Sequence, residues 1–418
     1  MIVASVFSNG RESFPGCRGV ILTYFARYLE IEAQIPEGES GKIPSEKIVG
    51  LQGFHIRHQI KKRRQAMKKR SLLTVIGVLF LVLAITGLAL GFDGVRFAVI
   101  SDPHISIPQQ KGVSDGFKLG LKTVMLTESA VAEINRIPDI KFVLVSGDLS
   151  QDAEPWNIDE VRRILDELKV PYFVVLGNHD LSRVPHEKKD QPVTLSKYTV
   201  AGAFVGRSGG MVPGMTYYSH NLAKDLVLIA LDASRAQVFS PEAGLNDYGG
   251  KIDPGQMRWL EGVLKANQKK TIILLTHHNL VPWGEGDKTN YNNYAWFRMD
   301  NADEVRALLK KYGVKLVFSG HRHISTRYQQ IEGTYFFIHP ALSTYPMRYT
   351  VYELTPKELS WEVKNVPAPA DVWELAKKNF MADKWWRGPD HPDTPEGNEK
   401  YLEFYESPGT MKGKIAYR

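Results

Sequence analysis

Five short motifs rich in aspartate and histidine follow one another along the 418 residues: Ser101-Asp102-Pro103-His104, Gly147-Asp148, Gly177-Asn178-His179-Asp180, Thr276-His277-His278 and Gly320-His321-Arg322-His323. Asp102 and His104 are two apart, so in an extended segment their side chains project to one side and both can grip one cation. Asp148 brings a carboxylate with two oxygens, suited to bridging. Asn178, His277, His321 and His323 add amide oxygen and imidazole nitrogen. With no thiolate in the set, these donors suit manganese, iron, zinc or nickel and argue against a thiolate-rich structural zinc site. The chemistry they support is two-metal hydrolysis. Two ions ~3.5–4 Å apart clamp phosphoryl oxygens, hold an ester in line and bring the pKa of a bound water towards ~7. Phosphate monoesters need such help, since enzymes accelerate their hydrolysis by up to ~10²¹-fold. A histidine beside the pair can assist the leaving oxygen.

Singly, each piece is weak. Asp148 after a glycine is the pattern of a loop or a helix N-cap, and Gly-Asn-His-Asp that of a polar turn. His277 and His278 read as one ligand and one hydrogen-bonded neighbour. In order, seven potential ligands at strand ends would be an unexplained buried polar cost unless they serve a common purpose.

Each motif ends an apolar, β-branched run (FAVI, KFVLVS, PYFVVL, TIILL, VKLVF), which places the ligands where buried strands meet loops, along one edge of a sheet. Helical periodicity over Asp115–Arg136, Ile158–Leu168, Pro254–Ala266 and Ala302–Lys311 alternates with these runs, predicting an α/β core. Short runs at Thr334–His339, Tyr349–Glu353 and Leu359–Val363 predict antiparallel strands.

The series Asp-Pro-His, Gly-Asp, Gly-Asn-His-Asp, His-His and Gly-His-Arg-His resembles the calcineurin-like metallophosphoesterase superfamily, and most closely its class III cyclic-nucleotide phosphodiesterase branch. The resemblance spans about Val95 to Glu362 and includes Leu231-Asp232 and the Gln256-Met-Arg-Trp259-Leu260-Glu segment. It implies a four-layer α/β/β/α sandwich, and a binuclear centre of two divalent or trivalent ions. On that resemblance Asp102, His104 and His323 hold the first ion, Asn178, His277 and His321 the second, and Asp148 bridges them. His277 is then the ligand and His278 its neighbour. His179 would stand outside as the acid or hydrogen-bonding group at the leaving oxygen, oriented by Asp180. Pro103 stands where the family often has a small polar residue, which removes no ligand. Asn279-Leu280 stands where many relatives have prolines, so the substrate-facing loop differs. The implied activity is hydrolysis of small phosphodiesters, cyclic nucleotides first. Phosphomonoester hydrolysis and a catalytically silent metal-binding module are the alternatives.

The formal net charge is +7, and residues 1–70 alone carry 13 Lys or Arg against 6 Asp or Glu. The remainder is therefore neutral overall, which argues against nucleic acid as a partner of the catalytic domain. Cys17 is the single cysteine, leaving the catalytic part without thiol or disulfide. Residues 71–92 contain no charge and are long enough, as a helix at ~1.5 Å per residue, to cross a ~30 Å hydrocarbon core. Seven of the ten residues 61–70 are basic, so the positive-inside rule keeps that flank cytoplasmic and turns the phosphoesterase outwards.

The organisation expected is residues 1–66 as an over-extended start or short cytoplasmic segment, 67–92 as a signal anchor, 93–366 as the phosphoesterase domain and 367–418 as a C-terminal arm. The arm carries one helix, Ala370–Phe380, and His391 reads as a surface or packing residue. Tyr291, Tyr294 and Trp296 read equally as a stacking platform for a base and as loop packing. From Met67 the chain has the form of a signal sequence, Met-Lys-Lys-Arg followed by the apolar run and Ala89-Leu90-Gly91. Protein isolated from its natural host is expected to begin at Met67, or at Phe92 if released by cleavage after Gly91. An intact mass placing Met1 at the terminus would overturn this.

Overall fold

The computed structural model describes residues 92–109, 112–182, 193–235, 239–240, 245–246, 249–284, 287, 297–387 and 391–418. The expected signal or membrane segment up to Gly91, and the aromatic trio Tyr291, Tyr294 and Trp296, lie outside them. Among the described residues no helix is long and apolar enough to cross a membrane.

The chain forms a mixed α/β sandwich. Its strands are β1 (Val95–Ile100), β2 (Ile140–Val145), β3 (Tyr172–Val174), β4 (Tyr218–Ala223), β5 (Leu226–Ala230), β6 (Phe239–Ser240), β7 (Leu245–Asn246), β8 (Thr271–Leu275), β9 (Leu316–Ser319), β10 (Arg327–Ile331), β11 (Thr334–Ile338), β12 (Arg348–Leu354), β13 (Glu358–Asn365) and β14 (Lys412–Ala416). One six-stranded sheet has the order β14-β13-β12-β1-β2-β3 and the other β10-β11-β9-β8-β5-β4. Strands β1, β2 and β3 run parallel in the first sheet, and β5, β8, β9 and β11 in the second. Their near-continuous apolar runs are buried throughout β5 and β8, as befits parallel strands covered on both faces. Edge strand β10, Arg-Tyr-Gln-Gln-Ile, instead alternates half-buried and exposed residues, and its polar side chains discourage pairing with another chain.

The two sheets meet through fully buried rings. Phe97 of β1 and Tyr352 of β12 face Phe318 of β9 and Phe337 of β11, with Phe318 and Tyr352 stacked at a centroid distance of 4.9 Å. His339, just after β11, ties the sheets by hydrogen bonds as well. Its Nδ1–H donates to the Ser319 carbonyl at 2.9 Å, so its Nε2 accepts from the Tyr352 hydroxyl at 2.8 Å.

The principal helices are α1 (Thr123–Ile134), α2 (Pro155–Leu165), α3 (Lys197–Ala203), α4 (Pro254–Asn267), α5 (Ala302–Lys311), α6 (Ala370–Ala382), α7 (Lys384–Arg387) and α8 (Pro395–Glu406). The first differs from expectation in one respect that matters for the site. Regular helix begins only at Thr123, after a short 3₁₀ turn at Gly120–Lys122, and not at Asp115. Residues Asp115–Leu119 form a tight turn instead, in which Gly116 and Gly120 N–H both donate to the Lys118 carbonyl and the Asp115 carboxylate accepts from Leu121 N–H.

The C-terminal segment holds more structure than its Pro- and Gly-rich sequence suggests. Thr394 caps α8, accepting from Gly397 N–H, with Pro395 at the first helical position. The start signal, Thr394-Pro395, is present in the sequence. Strand β14 then adds to the edge of the first sheet, antiparallel to β13. Its Lys-Gly-Lys-Ile-Ala composition carries too little apolar content to announce a strand; pairing decides it.

The buried His339 generates a pH prediction. Burial pushes its pKa down to about 4. Between about pH 6.5 and about pH 4 the unfolded chain therefore binds a proton that the folded chain refuses. Stability from the neutral ring is present above about pH 6.5 and is lost as pH falls towards 4, by on the order of 3 kcal/mol. In denaturant titrations the stability gap between the natural protein and His339→Gln should shrink from about pH 7.5 to about pH 4.5. An unchanged gap would contradict the assignment.

Candidate metal centre

The ligand motifs all follow the C-terminal ends of parallel strands: Asp102 after β1, Asp148 after β2, Asn178 after β3, His277 after β8 and His321 after β9. Because the two sheets face each other with these ends on a common side, residues more than 200 positions apart meet. Asp102 Oδ1 is 3.0 Å from His323 Nε2. Asp148 Oδ2 lies 3.4 Å from His104 Nε2 and 3.3 Å from His277 Nε2. His277 Nε2 is also 3.1 Å from both Asn178 Oδ1 and His321 Nδ1. The donor atoms form two groups, one of Asp102, His104, Asp148 and His323, the other of Asp148, His277 and His321, and within each group they lie within 4.8 Å of one another. Asp148 belongs to both. All seven ligand candidates read from the sequence are buried at this one place.

The local backbone is shaped to bring them there. Asp102, His104, Asp148, His321 and His323 all adopt positive φ, between 43° and 72°. Asp and other short polar residues tolerate this region better than most, yet it costs of order 1–3 kcal/mol per residue and persists only where neighbours enforce it. Here Asp102 N–H donates to the Gly147 carbonyl, His104 N–H to the Asp148 carbonyl, and Gly320 N–H to the His277 carbonyl. Two motif glycines serve close approach. A Cβ on Gly177 would lie 2.1 Å from Asp148 Oδ1, and one on Gly320 would lie 2.1 Å from Ser101 Oγ and 2.6 Å from Asp102 Oδ2.

The electrostatics suit a cation. Burial alone would raise the Asp148 pKa, but the imidazoles of His277, His179 and His104 outweigh it and hold the carboxyl well below its usual range. Burial, then the charge of Lys118, lowers the pKa of His104, and burial lowers that of His323. Both rings are thus kept neutral, with lone pairs available. His277 is the opposite case: Asp148 overcomes the burial penalty and raises its pKa to about 9, so a cation must displace that proton. His277 Nδ1–H donates to the Ser146 carbonyl at 2.8 Å, which orients the ring and leaves Nε2 to coordinate. His104 Nε2 is buried without a hydrogen-bond partner, although a carboxylate oxygen lies 3.4 Å away. That unpaired nitrogen, set among carboxylates, imidazoles and an amide, fits a metal ion.

His179 stands beside the cluster, its ring edge-on to His104 with centroids 4.7 Å apart. The expectation that Asp180 orients it is corrected here. The Asp180 carboxylate turns inward and accepts from the N–H groups of Gly177, Leu149 and Ser150, at 2.9, 3.0 and 3.0 Å. It therefore staples the Gly-Asp loop to the Gly-Asn-His-Asp loop, and burial together with the Asp148 charge raises its pKa to about 6. The orienting groups are the Gln151 carbonyl and Asp152 Oδ1, 2.6 and 3.0 Å from His179 Nδ1. Sequence reasoning missed both; an aspartate four residues beyond Asp148 was the available signal. It also missed Lys118, whose Nζ lies 3.0 Å from His104 Nδ1 and 3.2 Å from His179 Nε2. His278 is buried with its ring 4.6 Å from that of His321, outside both ligand groups.

Beneath the cluster, Gln256 makes a two-way amide pair with the backbone of Asp232, accepting at 2.9 Å and donating at 2.7 Å. Asp232 in turn accepts from Lys197, Thr216 and the Ser234 N–H, and the Ser234 hydroxyl donates to the Leu176 carbonyl next to Gly177. The Leu-Asp and Gln-x-x-Trp-Leu-Glu segments are thus structural braces of the Asn178 loop.

A buried cluster of aspartates, histidines and an asparagine at the strand ends of an α/β sandwich defines a metal-dependent phosphoester hydrolase. The chain belongs to the calcineurin-like phosphoesterase family, whose profile matches residues 95–325. It is similar to a probable cyclic nucleotide phosphodiesterase of Synechococcus sp., with 26% identity over 230 residues, 54% of this chain and 72% of that protein. It is also similar to a 3′,5′-cyclic-nucleotide phosphodiesterase of Nostoc sp., with 23% identity over 244 residues, 56% of this chain and 74% of that protein. Among solved structures, a purple acid phosphatase from yellow lupin seeds aligns with a TM-score of 0.45 and 15% identity, over 65% of this chain and 52% of that one.

Because Asp148 belongs to both ligand groups, Asp148→Ala should lose metal affinity at the whole centre, by more than the ~10–100-fold typical of changing a residue that only hydrogen-bonds a ligand. Asn178→Ala should weaken the His277–His321 side while retaining metal at the other. Metal analysis after mild chelation decides between them; full metal content in Asp148→Ala would refute the sharing.

Proposed function

We propose that this protein hydrolyses phosphodiesters at a two-metal centre, with cyclic nucleotides as the leading substrate class. The observation that carries the two-ion reading is the single buried carboxylate, Asp148, common to two groups of donors. Asp102, His104 and His323 would hold one ion, Asn178, His277 and His321 the other, with Asp148 between them. Manganese, iron, zinc and nickel all suit this donor set. When bound, such ions supply charge neutralisation at the phosphoryl oxygens and a nucleophilic water near neutral pH. The substrate class is supported by the names of the similar Synechococcus and Nostoc proteins. The outward orientation of the catalytic domain rests on sequence alone, on the uncharged run 71–92 and its basic flank.

The residues beside the cluster support an acid role for His179. The Gln151 carbonyl can only accept, so His179 keeps a proton on Nδ1 and turns Nε2 towards the side of Lys118 Nζ, 3.2 Å away. Protonated at Nε2, the ring delivers that proton to the ester oxygen as the P–O bond breaks, and the departing group leaves as an alcohol. Asp152 Oδ1, 3.0 Å from Nδ1, helps hold the ring in that orientation.

His179→Ala should therefore lose ~10²–10⁴-fold in rate on an alkyl or ribose ester, which needs the proton, and far less on an activated aryl ester. Its metal content should stay near that of the natural protein. Steady-state rates on a matched panel of monoesters, linear diesters and cyclic diesters test both claims. Equal losses on the two leaving groups would remove the acid role, and preference for monoesters would move the activity to phosphomonoester hydrolysis.

A further inference from the structure

We infer that Lys118 contacts the substrate, its ammonium donating to a non-bridging oxygen of the phosphoryl group under attack. The inference rests on this site being the phosphoester-hydrolysing one, and is independent of whether diesters or monoesters are preferred. Lys118 lies outside all five ligand motifs. Its Nζ nevertheless lies within hydrogen-bond distance of two site rings, His104 at 3.0 Å and His179 at 3.2 Å. One is a metal-ligand candidate and the other faces the leaving oxygen, so the ammonium borders the space between them.

That placement is built, because the turn at Asp115–Leu119 delivers the side chain and is held from several sides. Leu119 N–H donates to the Ser343 carbonyl, and the Ser343 hydroxyl donates to the carbonyl of Asp102, which ties the turn to a ligand residue. The Phe117 ring lies parallel to the His323 imidazole at 5.9 Å and packs against Trp386 at 4.6 Å. Asn379 of α6 donates its side-chain amide to the Asp115 carbonyl at 3.0 Å. Asn379 and Trp386 both lie beyond the family match, which ends at residue 325, so the C-terminal segment helps fix a residue of the active site.

The chemistry follows from that placement: an ammonium held beside both rings can donate to an anionic oxygen that enters between them. An ammonium is a compact charge with three rotatable donors, matched to a phosphoryl oxygen.

The test uses the full metal-loaded chain, the variants Lys118→Gln and Lys118→Arg, and three measurements: metal content, kcat/KM on an activated aryl phosphomonoester and its bis-aryl diester, and calorimetric binding of inorganic phosphate. Lys118→Gln should keep its metal, lose ~10–100-fold in kcat/KM, and bind phosphate about 10-fold or more weakly. The loss should be greater on the dianionic monoester than on the monoanionic diester, since the lost charge acts on twice the negative charge. Lys118→Arg should recover most of each. Unchanged phosphate affinity and kinetics in Lys118→Gln would overturn the inference. So would loss of metal in step with activity, which would make Lys118 a support for His104. The ester preference of the natural protein is read separately and decides only the preceding proposal.

Discussion

Asp148 sits at the point where the demands on this fold converge. A carboxylate removed from water is costly unless opposite charge and hydrogen bonds replace the solvent. Here His104 and His277 approach one of its oxygens, and His179 N–H donates to the other. Those three residues come from the ends of different strands or their loops, in both sheets, so the carboxylate can be satisfied only when the sandwich is closed and the strand ends are level. The same arrangement that stabilises the anion places the donors for a cation.

Precision of this kind has a backbone cost. Five ligand positions adopt left-handed φ, and two motif glycines are excluded from bearing a side chain by the carboxylates they adjoin. The cost is offset by the rigid parts nearby. Parallel strands buried on both faces hold the loop ends, the stacked rings of Phe97, Phe318 and Tyr352 hold the sheets together, and Asp180 pins two ligand loops through three backbone amides. Asp232, Gln256 and Ser234 perform the same service for the Asn178 loop from below.

The C-terminal segment adds a further layer of support. Arg322, inside the Gly-His-Arg-His motif, is buried with its guanidinium 4.3 Å above the Phe297 ring and 5.4 Å from that of Trp386. Asp287 and the hydroxyl of Tyr405 pair with it. A buried arginine of this kind is tolerable because Asp287 and the Tyr405 hydroxyl pair with it and aromatic faces cover its guanidinium. The result is that Trp386 and Tyr405, far along the chain from the family core, pack against the residue between two metal-ligand candidates.

Much of this was legible in the residues. The seven ligand candidates, the apolar runs that end at them, and α5 from Ala302 to Lys311 could be read directly, because ligand chemistry is carried by residue type and buried parallel strands by unbroken apolar runs. Periodicity places the start of α1 eight residues too early, at Asp115, since it does not register a turn closed by Asp115 and the Lys118 carbonyl. The partner of His179 was misassigned for a related reason. Asp180 is its neighbour in sequence, but in this loop the carboxylate reaches three backbone amides that a folded turn presents to it. The sequence by itself determined which atoms can bind a metal and on which kind of element they sit. Only the tertiary structure decided which groups orient His179, and that Lys118 stands beside it, because those choices depend on distances between segments that no local pattern encodes.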